Sequence, residues 1–386
     1  MNDVDTTIAA LRRFIDDEVK PFEREHAIGY EGQPAKAVLK QLWQRSAALG
    51  FYGLMLPREQ GGAGFNAEQM CRVKEAVASS GAVLSQHVLG ELSGPPRVGY
   101  LFRVATADQV QRFLKPICAA ELAVCFALTE EQAGSDAAAI ATRAVRDGDH
   151  YVLNGRKRFI SGAPYADVAI VLAVTEPGQG SKGISAFFVD MHAPGMQVVC
   201  DYVAMHGQAS HADLVMNDLR VPAANLIGQE GAGFRLGIGR INLNRLLHCA
   251  TVLGWADLCL RLSIERATQR SQFGKPIGQF QAIQHLLADM ATELYAARAM
   301  VMDAARRLDA GSELRMEASM CKLQVTEKAF VIADKAVQIH GGTGLVRGHP
   351  VEWMFRMLRM MRILTGTSEI LRNTVAKELL EAGRGA

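Results

Sequence analysis

Apolar residues recur at helical spacing through the first third of the chain, and the pattern begins at once, with Ile8, Leu11, Ile15 and Val19 on one helical face. The stretches AVLKQLWQRSAALGFYGLML and AEQMCRVKEAVASSGAVLSQHVLGEL continue it, punctuated by glycine and proline in PREQGGAGF and SGPPRVG. From about residue 121 the texture changes. HYVLNGRKRFISG, DVAIVLAVT, ISAFFVD, MQVVC and DLVMNDLRV are short β-branched or alternating runs broken by Gly, Asp and Asn, which predict a compact antiparallel β-domain. After residue 230 helical spacing returns in long stretches such as QFQAIQHLLADMATELYAARAMVMDAARRL, joined by short glycine-bearing links as in an antiparallel bundle. The pattern predicts an α+β multidomain protein: an N-terminal helical domain over 1–120, a β-domain over 121–230 and a C-terminal helical bundle over 231–386.

Composition narrows the class. A chain of 386 residues exceeds one simple core, and 49% apolar content suits a well-folded protein. Lys plus Arg number 42 against 40 Asp plus Glu with no like-charge block, so the concentrated basic face of a nucleic-acid binder is missing. Seven cysteines are scattered without a C-x-x-C pair, mostly among apolar neighbours, which predicts buried reduced thiols in a cytoplasmic protein rather than disulfides or a metal site. The N-terminal stretch has no apolar h-region, and Asp3, Asp5, Asp16 and Asp17 make it too acidic for a transit peptide. The longest apolar run, VAIVLAV (168–174), is too short for a membrane span, so a soluble protein is expected.

Five segments carry candidate chemistry. FALTEEQAGSD (126–136) stands at the entrance to the β-domain, and Gly134 and Ser135 there bring backbone N–H groups and a hydroxyl close together, suited to a flavin edge or a phosphate. GRKRFISGA (155–163), RSQFGKPIGQFQAIQHLLADM (270–290), AVQIHGGTGLVRGHPVEWMFRM (336–357) and RILTGTSEILRN (362–373) follow in order. In the last, Thr365-Gly366-Thr367-Ser368 reads as a turn, with Thr367 or Ser368 capping the next helix.

Together, these segments closely resemble the acyl-CoA dehydrogenase flavoprotein family over nearly the whole chain. The resemblance implies a helical N-terminal domain, a central β-barrel and a C-terminal four-helix bundle, assembled as a homotetramer. It implies FAD bound without covalent attachment, an acyl-CoA or carrier-bound acyl thioester as substrate, and electron-transfer flavoprotein or another electron acceptor as partner. By position, Phe126, Leu128, Thr129, Gly134 and Ser135 would line the flavin and thioester, and Phe159 and Ser161 would flank the isoalloxazine ring. The family more often has Trp then Thr there; Phe and Ser keep an aromatic wall and a hydroxyl. Arg270, Gln272 and Phe273 match the segment that reaches the FAD pyrophosphate, where a guanidinium can fork onto phosphate oxygens. Gln338, Gly341 and Gly342 match the dinucleotide cradle, Thr367 and Glu369 the adenosine contacts, and Asn244, Arg245 and Gly366, with Ser135, substrate-side positions.

The resemblance also exposes a loss. In most members a Glu immediately before the turn glycine takes the α-proton, and here that position is Thr365. A minority carry the acid just before the arginine that corresponds to Arg245, where this chain has Asn244. No Asp or Glu occurs between Glu230 and Asp257, and a neutral hydroxyl is a very poor base near pH 7. Two features remain. The Thr365 backbone N–H does not depend on the side chain and can still donate to an enolate oxygen. Glu91, four residues after His87 on a helix that lines the family's substrate cavity, is a candidate base; His248, one turn beyond Arg245, is a second candidate but is expected to pack in the bundle. The leading reading is an FAD-dependent oxidoreductase of acyl thioesters with an atypical or absent base. A desulfinase, reductase or flavin monooxygenase on the same scaffold, or a non-catalytic flavoprotein, stays open beside it.

Overall fold

The computed structural model describes residues 4–200 and 202–382. In chain order its helices are α1 (Val4–Phe14), α2 (Lys20–Glu25), α3 (Lys36–Ala48), α4 (Ala67–Ala78), α5 (Ser85–Val88), α6 (Ala107–Gln109), α7 (Lys115–Cys118), α8 (Gly233–Ile238), α9 (Ile241–Gln269), α10 (Gln281–Asp309), α11 (Arg315–His340), α12 (Pro350–Met361) and α13 (Ser368–Ala382). The strands are β1 (Val124–Ala127), β2 (Arg143–Asp147), β3 (His150–Ser161), β4 (Val168–Val174), β5 (Ile184–Asp190), β6 (Met196–Val199), β7 (His211–Pro222), β8 (Ser271–Gln272) and β9 (Lys275–Pro276). Packing groups these into two compact units: Met1–Glu31, Phe65–Ser85 and Ile241–Ala386 form one, Gly32–Gly64 and Gln86–Arg240 the other. The sequence pattern divides the chain in three, because periodicity records element type and not which helices share a core.

The first unit is helical. α4, α10, α11 and α12 pack on α9, whose stretch from Leu246 to Ala256 is buried at nearly every position. Burial all round explains why α9 has almost no amphipathic stripe. By length and composition the helical stretch Gly233–Gln269 could cross a bilayer, yet 67% of its most apolar window is buried inside the protein, as in a bundle's core helix. α4 begins at a capping box, the Asn66 side chain accepting from Gln69 N and Gln69 accepting from Asn66 N. The Asp309 carboxylate takes the next two orphan donors, Ala67 N at 2.8 Å and Glu68 N at 2.9 Å, which ties the start of α4 to the end of α10.

The second unit holds a seven-stranded sheet curled into a half-barrel, ordered β1-β4-β2-β3-β7-β6 with β5 on the other side of β4. β4 is buried along most of its length, so it reads as an unbroken apolar run. The sheet is mixed, which corrects the wholly antiparallel expectation: β1 and β4 pair in parallel, Val124 opposite Val168 through Ala127 opposite Val171. Two hydrophobic clusters pack on the sheet, one around Tyr151, Phe187 and Leu214, the other around Leu114, Ile170 and Phe188.

Among the described residues no disulfide forms; Cys71, Cys125, Cys249, Cys259 and Cys321 are buried, and Cys200 is exposed. Burial raises the thiols of Cys71, Cys125, Cys259 and Cys321 to about 12 and that of Cys249 well above its ordinary value.

The tightest helix contact generates a test. A Cβ on Gly254 in α9 would stand 2.4 Å from Glu75 O and 2.6 Å from the Ala78 Cβ, both on α4. Gly254→Ala therefore forces the two helices apart and is expected to destabilise the protein by about 1–3 kcal/mol, read as a lower urea midpoint. An unchanged midpoint contradicts this packing.

Candidate functional site

Each unit presents one set of candidate residues. In the β-unit, β3 carries two bulges, and the second, between Lys157 and Ile160, contains Phe159. Its φ of 58° is a left-handed conformation that a bulky residue adopts only under constraint. The constraint is visible: the Phe159 N–H donates to Asp213 Oδ1 (3.1 Å) and Tyr202 Oη (3.0 Å). Tyr202 itself donates to the same carboxylate oxygen at 2.8 Å. Arg156 Nε donates to Oδ2 at 3.0 Å, which balances the charge of an Asp213 side chain only 1% exposed. The outcome is a Phe159 ring left 53% exposed, with the Arg158 guanidinium 4.9 Å from its centre and the Tyr202 ring edge-on at 5.4 Å. Ser161 follows on the same strand, opposite His211.

The segment after β1 is fixed by a buried ion pair. Lys157 Nζ donates to Glu130 Oε1 at 2.7 Å and to Leu128 O at 3.2 Å, while the Glu130 carboxylate also accepts from Ala141 N and Thr142 N. Burial pulls Lys157 down to about 8. The same burial would raise the Glu130 carboxyl, but Lys157 together with the Thr142 and Ala141 donors outweighs it and holds it below the usual range, so the pair is charged at neutral pH. Leu128 and Thr129 are half-buried beside it, Gly134 and Ser135 stand exposed on the following loop, and Phe126 packs against Gly237 of α8.

In the helical unit the centre is the turn between α12 and α13. Thr365 has a φ of 58° and Gly366 one of 100°, so a β-branched residue again sits in the left-handed region. Lys322, fully buried on α11, donates to Met361 O at 2.7 Å and Gly366 O at 3.0 Å. Ser368 donates to Glu327 at 2.5 Å, and Ile370 N donates to Thr367 Oγ1, making Thr367 the cap of α13 as expected. The Thr365 side chain meets His248 of α9, Oγ1 to Nδ1 at 2.8 Å. Arg245, one turn earlier on α9, is 7% exposed; its Nη1 donates to Ser319 Oγ at 3.0 Å and its Nε has no partner among the described residues. A Cβ on Gly366 would stand in ordinary contact with the Arg245 Nη2, at 3.5 Å, so the φ of 100° rather than crowding favours glycine there. Asn244 is half-buried beside it. Among the described residues no hydrogen bond uses the Thr365 or Gly366 backbone N–H.

The predicted dinucleotide residues lie on exposed parts of this unit. Arg270 and Gln272 stand on the β8–β9 hairpin, with Phe273 at its tip 93% exposed and at a φ of 50°. Gln338 faces solvent in the last turn of α11, and Gly341 and Gly342 each have open space where a side chain would be. Glu369 is exposed, its own backbone N–H and the Thr367 hydroxyl lowering its carboxyl.

Two expectations need correcting. His87 and Glu91 do not share a helical face, because α5 ends at Val88 and Gly90 turns the chain at a φ of 67°. His87 is buried against Trp43, accepting from Trp43 Nε1 at 3.1 Å, and burial lowers it to about 4. His248 does not simply pack; it is the hydrogen-bond partner of Thr365. Sequence reasoning also passed over Lys322, Lys157 and Asp213, although Lys322 falls on the buried stripe of α11 with Ala318, Val325 and Ala329, a signal visible in the spacing.

Comparison with known proteins covers nearly the whole chain. The family models "Acyl-CoA dehydrogenase, N-terminal domain", "middle domain" and "C-terminal domain" match residues 3–121, 125–219 and 231–380. The chain is 35% identical to the 3-(aryl)acrylate reductase of Clostridium sporogenes, covering 96% of each sequence. It is 36% identical to the acryloyl-CoA reductase (NADH) of Anaerotignum propionicum, with 96% and 92% covered. It is 37% identical to the caffeyl-CoA reductase-Etf complex subunit CarC of Acetobacterium woodii, with 89% and 90% covered. Among solved structures it matches the butyryl-CoA dehydrogenase of Megasphaera elsdenii with a TM-score of 0.87 at 29% identity, over 98% and 99% of the two chains. It matches the FAD complex of PigA with a TM-score of 0.89 at 26% identity, over 98% of each.

Lys322 offers a pH test. Burial pulls it from 10.5 down to about 8. Between those values the unfolded chain holds a proton the folded chain has shed, so its contribution to stability rises with pH and is lost as pH falls through about 8. Lys322→Met abolishes that slope and leaves two carbonyls without their donor, at about 1–3 kcal/mol for each unsatisfied group. Urea midpoints at pH 7.5 and 10 should show the wild type's advantage growing with pH; a constant or shrinking gap contradicts the burial.

Proposed function

The chain belongs to the acyl-CoA dehydrogenase family and is an oxidoreductase, and from that premise we propose that it uses FAD to act on the α,β carbon–carbon bond of an acyl-CoA or carrier-bound thioester, with a hydroxyl where the usual carboxylate stands. One observation carries the reading. The Thr365 N–H is held in a strained turn by Lys322 and is spent on no acceptor within the described residues. A pre-oriented donor of this kind is what an enolate oxygen requires, and it survives loss of the acid because it belongs to the backbone.

The residues present fit FAD by their chemistry. The exposed Phe159 ring suits the face of a flat heterocycle, and Ser161, Thr129 and Ser135 supply hydroxyls around it. Arg270 is exposed with no side-chain partner among the described residues, and suits a pyrophosphate. Gln338, Gly341 and Gly342 offer an amide and unobstructed backbone, and Thr367 and Glu369 offer acceptors for an adenosine. When bound, FAD supplies the two-electron chemistry. The chain's own tasks are to hold the thioester carbonyl at the Thr365 N–H, to place a cation at Arg245 and to move the α-proton. The hairpin tip at Phe273 and the exposed Leu345 and Val346 read as surfaces covered in a homotetramer, with electron-transfer flavoprotein as redox partner and a cytoplasmic setting.

A reductive direction has its own support. Three relatives at 35–37% identity are named as reductases, beside dehydrogenases at 34–38%, and a hydroxyl donates a proton to an enolate more readily than it removes one from a carbon acid.

Two measurements test the reading. The purified protein should keep yellow FAD after desalting, and Arg270→Ala should weaken FAD retention about tenfold or more as a charge-assisted phosphate bond is lost. Anaerobic mixing with acyl-CoAs, or of the pre-reduced protein with 2-enoyl-CoAs, should change the flavin spectrum. Failure to retain any flavin, or indifference to every thioester in both directions, sinks the proposal in favour of another chemistry on this scaffold.

A further inference from the structure

We propose that Thr365 and His248 together replace the missing carboxylate: the Thr365 hydroxyl meets the substrate α-carbon, and His248 holds the proton behind it. The inference deepens the thioester reading and rests on it. Thr365 occupies the position that the family resemblance gives to the base, and its Oγ1 lies 2.8 Å from His248 Nδ1. Both side chains are half-buried, and α9 offers no carboxylate between Asn244 and Trp255. A threonine hydroxyl alone is a very poor base, but a hydroxyl backed by an imidazole can pass a proton through, as in serine–histidine pairs.

A second observation points to a ligand at the same corner. Arg245 is buried with its Nε unpartnered and comes within van der Waals range of Gly366. A buried guanidinium with an unused donor suits an anionic group brought in from outside, and the enolate oxygen formed by α-proton loss is one. The left-handed Thr365 backbone sets the direction of its side chain, since the turn is held by Lys322 on one side and capped through Ser368 and Glu327 on the other. Arg315 and Lys322 on α11, Cys249 on α9, and Glu327 and Glu369 complete the titratable surroundings of the corner.

The step balances without an oxidant. The α C–H bond breaks and its electron pair stays on the substrate as the enolate. The proton moves to Thr365 Oγ1 while the hydroxyl proton moves to His248 Nδ1, leaving an imidazolium. In the reverse direction the imidazolium returns its proton through the same hydroxyl to the α-carbon. Thr365 is the catalytic residue here, and His248 is a positioning and proton-holding residue that acts through it.

The experiment follows α-hydrogen exchange of a saturated acyl-CoA with the FAD-loaded enzyme in anaerobic D₂O by mass spectrometry. Wild type should exchange. Thr365→Ser, which keeps the hydroxyl, should stay within a few-fold. Thr365→Val and His248→Asn should each fall about 10²-fold or more, the span of a positioned general base, with FAD content unchanged. His248→Asn can keep the hydrogen bond but cannot hold the proton, so its loss separates proton handling from structure. In histidine-¹⁵N-labelled protein the His248 Nδ1 resonance should shift on Thr365→Val, a readout that needs no turnover. Exchange at the wild-type rate in Thr365→Val or His248→Asn overturns the proposal. So does absence of exchange in a wild type whose flavin spectrum still responds to thioester, an outcome that leaves the broader reading standing. Indifference of the flavin to every thioester removes both.

Discussion

One buried ammonium group holds the corner to which we assign the chemistry of the helical unit. Lys322 reaches from α11 to the carbonyls of Met361 and Gly366, so a single side chain joins the end of α12 to the turn before α13. The turn would not keep this shape unaided. A left-handed threonine costs about 1–2 kcal/mol, and each buried carbonyl left without a donor costs about 1–3 kcal/mol. Lys322 satisfies two such carbonyls, and with the Thr365–His248 and Ser368–Glu327 contacts it fixes the geometry of the turn.

The β-unit reaches a comparable result with its own buried cation. Lys157 fixes the Leu128–Glu130 segment, and two residues later the bulge presents Phe159 in the same left-handed conformation. In both units a lysine removed from water anchors the backbone near a strained, partly exposed residue. Among the described residues, three of the six non-glycine residues with positive φ are Phe159, Phe273 and Thr365, all of them candidates from the sequence. Strain of this kind persists where surrounding structure over-determines it, and its coincidence with these three positions links backbone geometry to chemistry.

Much of this was legible in the sequence, for identifiable reasons. Periodicity located the helices and the β-region because each element buries one face or alternate residues. The turn at 365–368 was readable because its glycine and its cap are local features. What escaped were contacts between residues far apart in the chain. Nothing in the order of residues shows that His248 meets Thr365 across 117 positions, or that Asp213 lies under Phe159. His87 and Glu91 misled for the opposite reason: i and i+4 share a face only while the helix continues, and Gly90 ends it. Lys322 could have been found, since a lone lysine on an apolar stripe announces a buried partner.

The distribution of sulfur ties chemical ageing to folding. Peroxides and alkylating agents attack thiolates, and the five buried cysteines keep their protons far above physiological pH. Only when the helices or the sheet come apart do these thiols ionise at ordinary values and react. A molecule that has opened under oxidising conditions is therefore marked, while one that has stayed closed is modified at little more than Cys200. The interior thiols act as a record of past unfolding, written covalently and only in the molecules that unfolded.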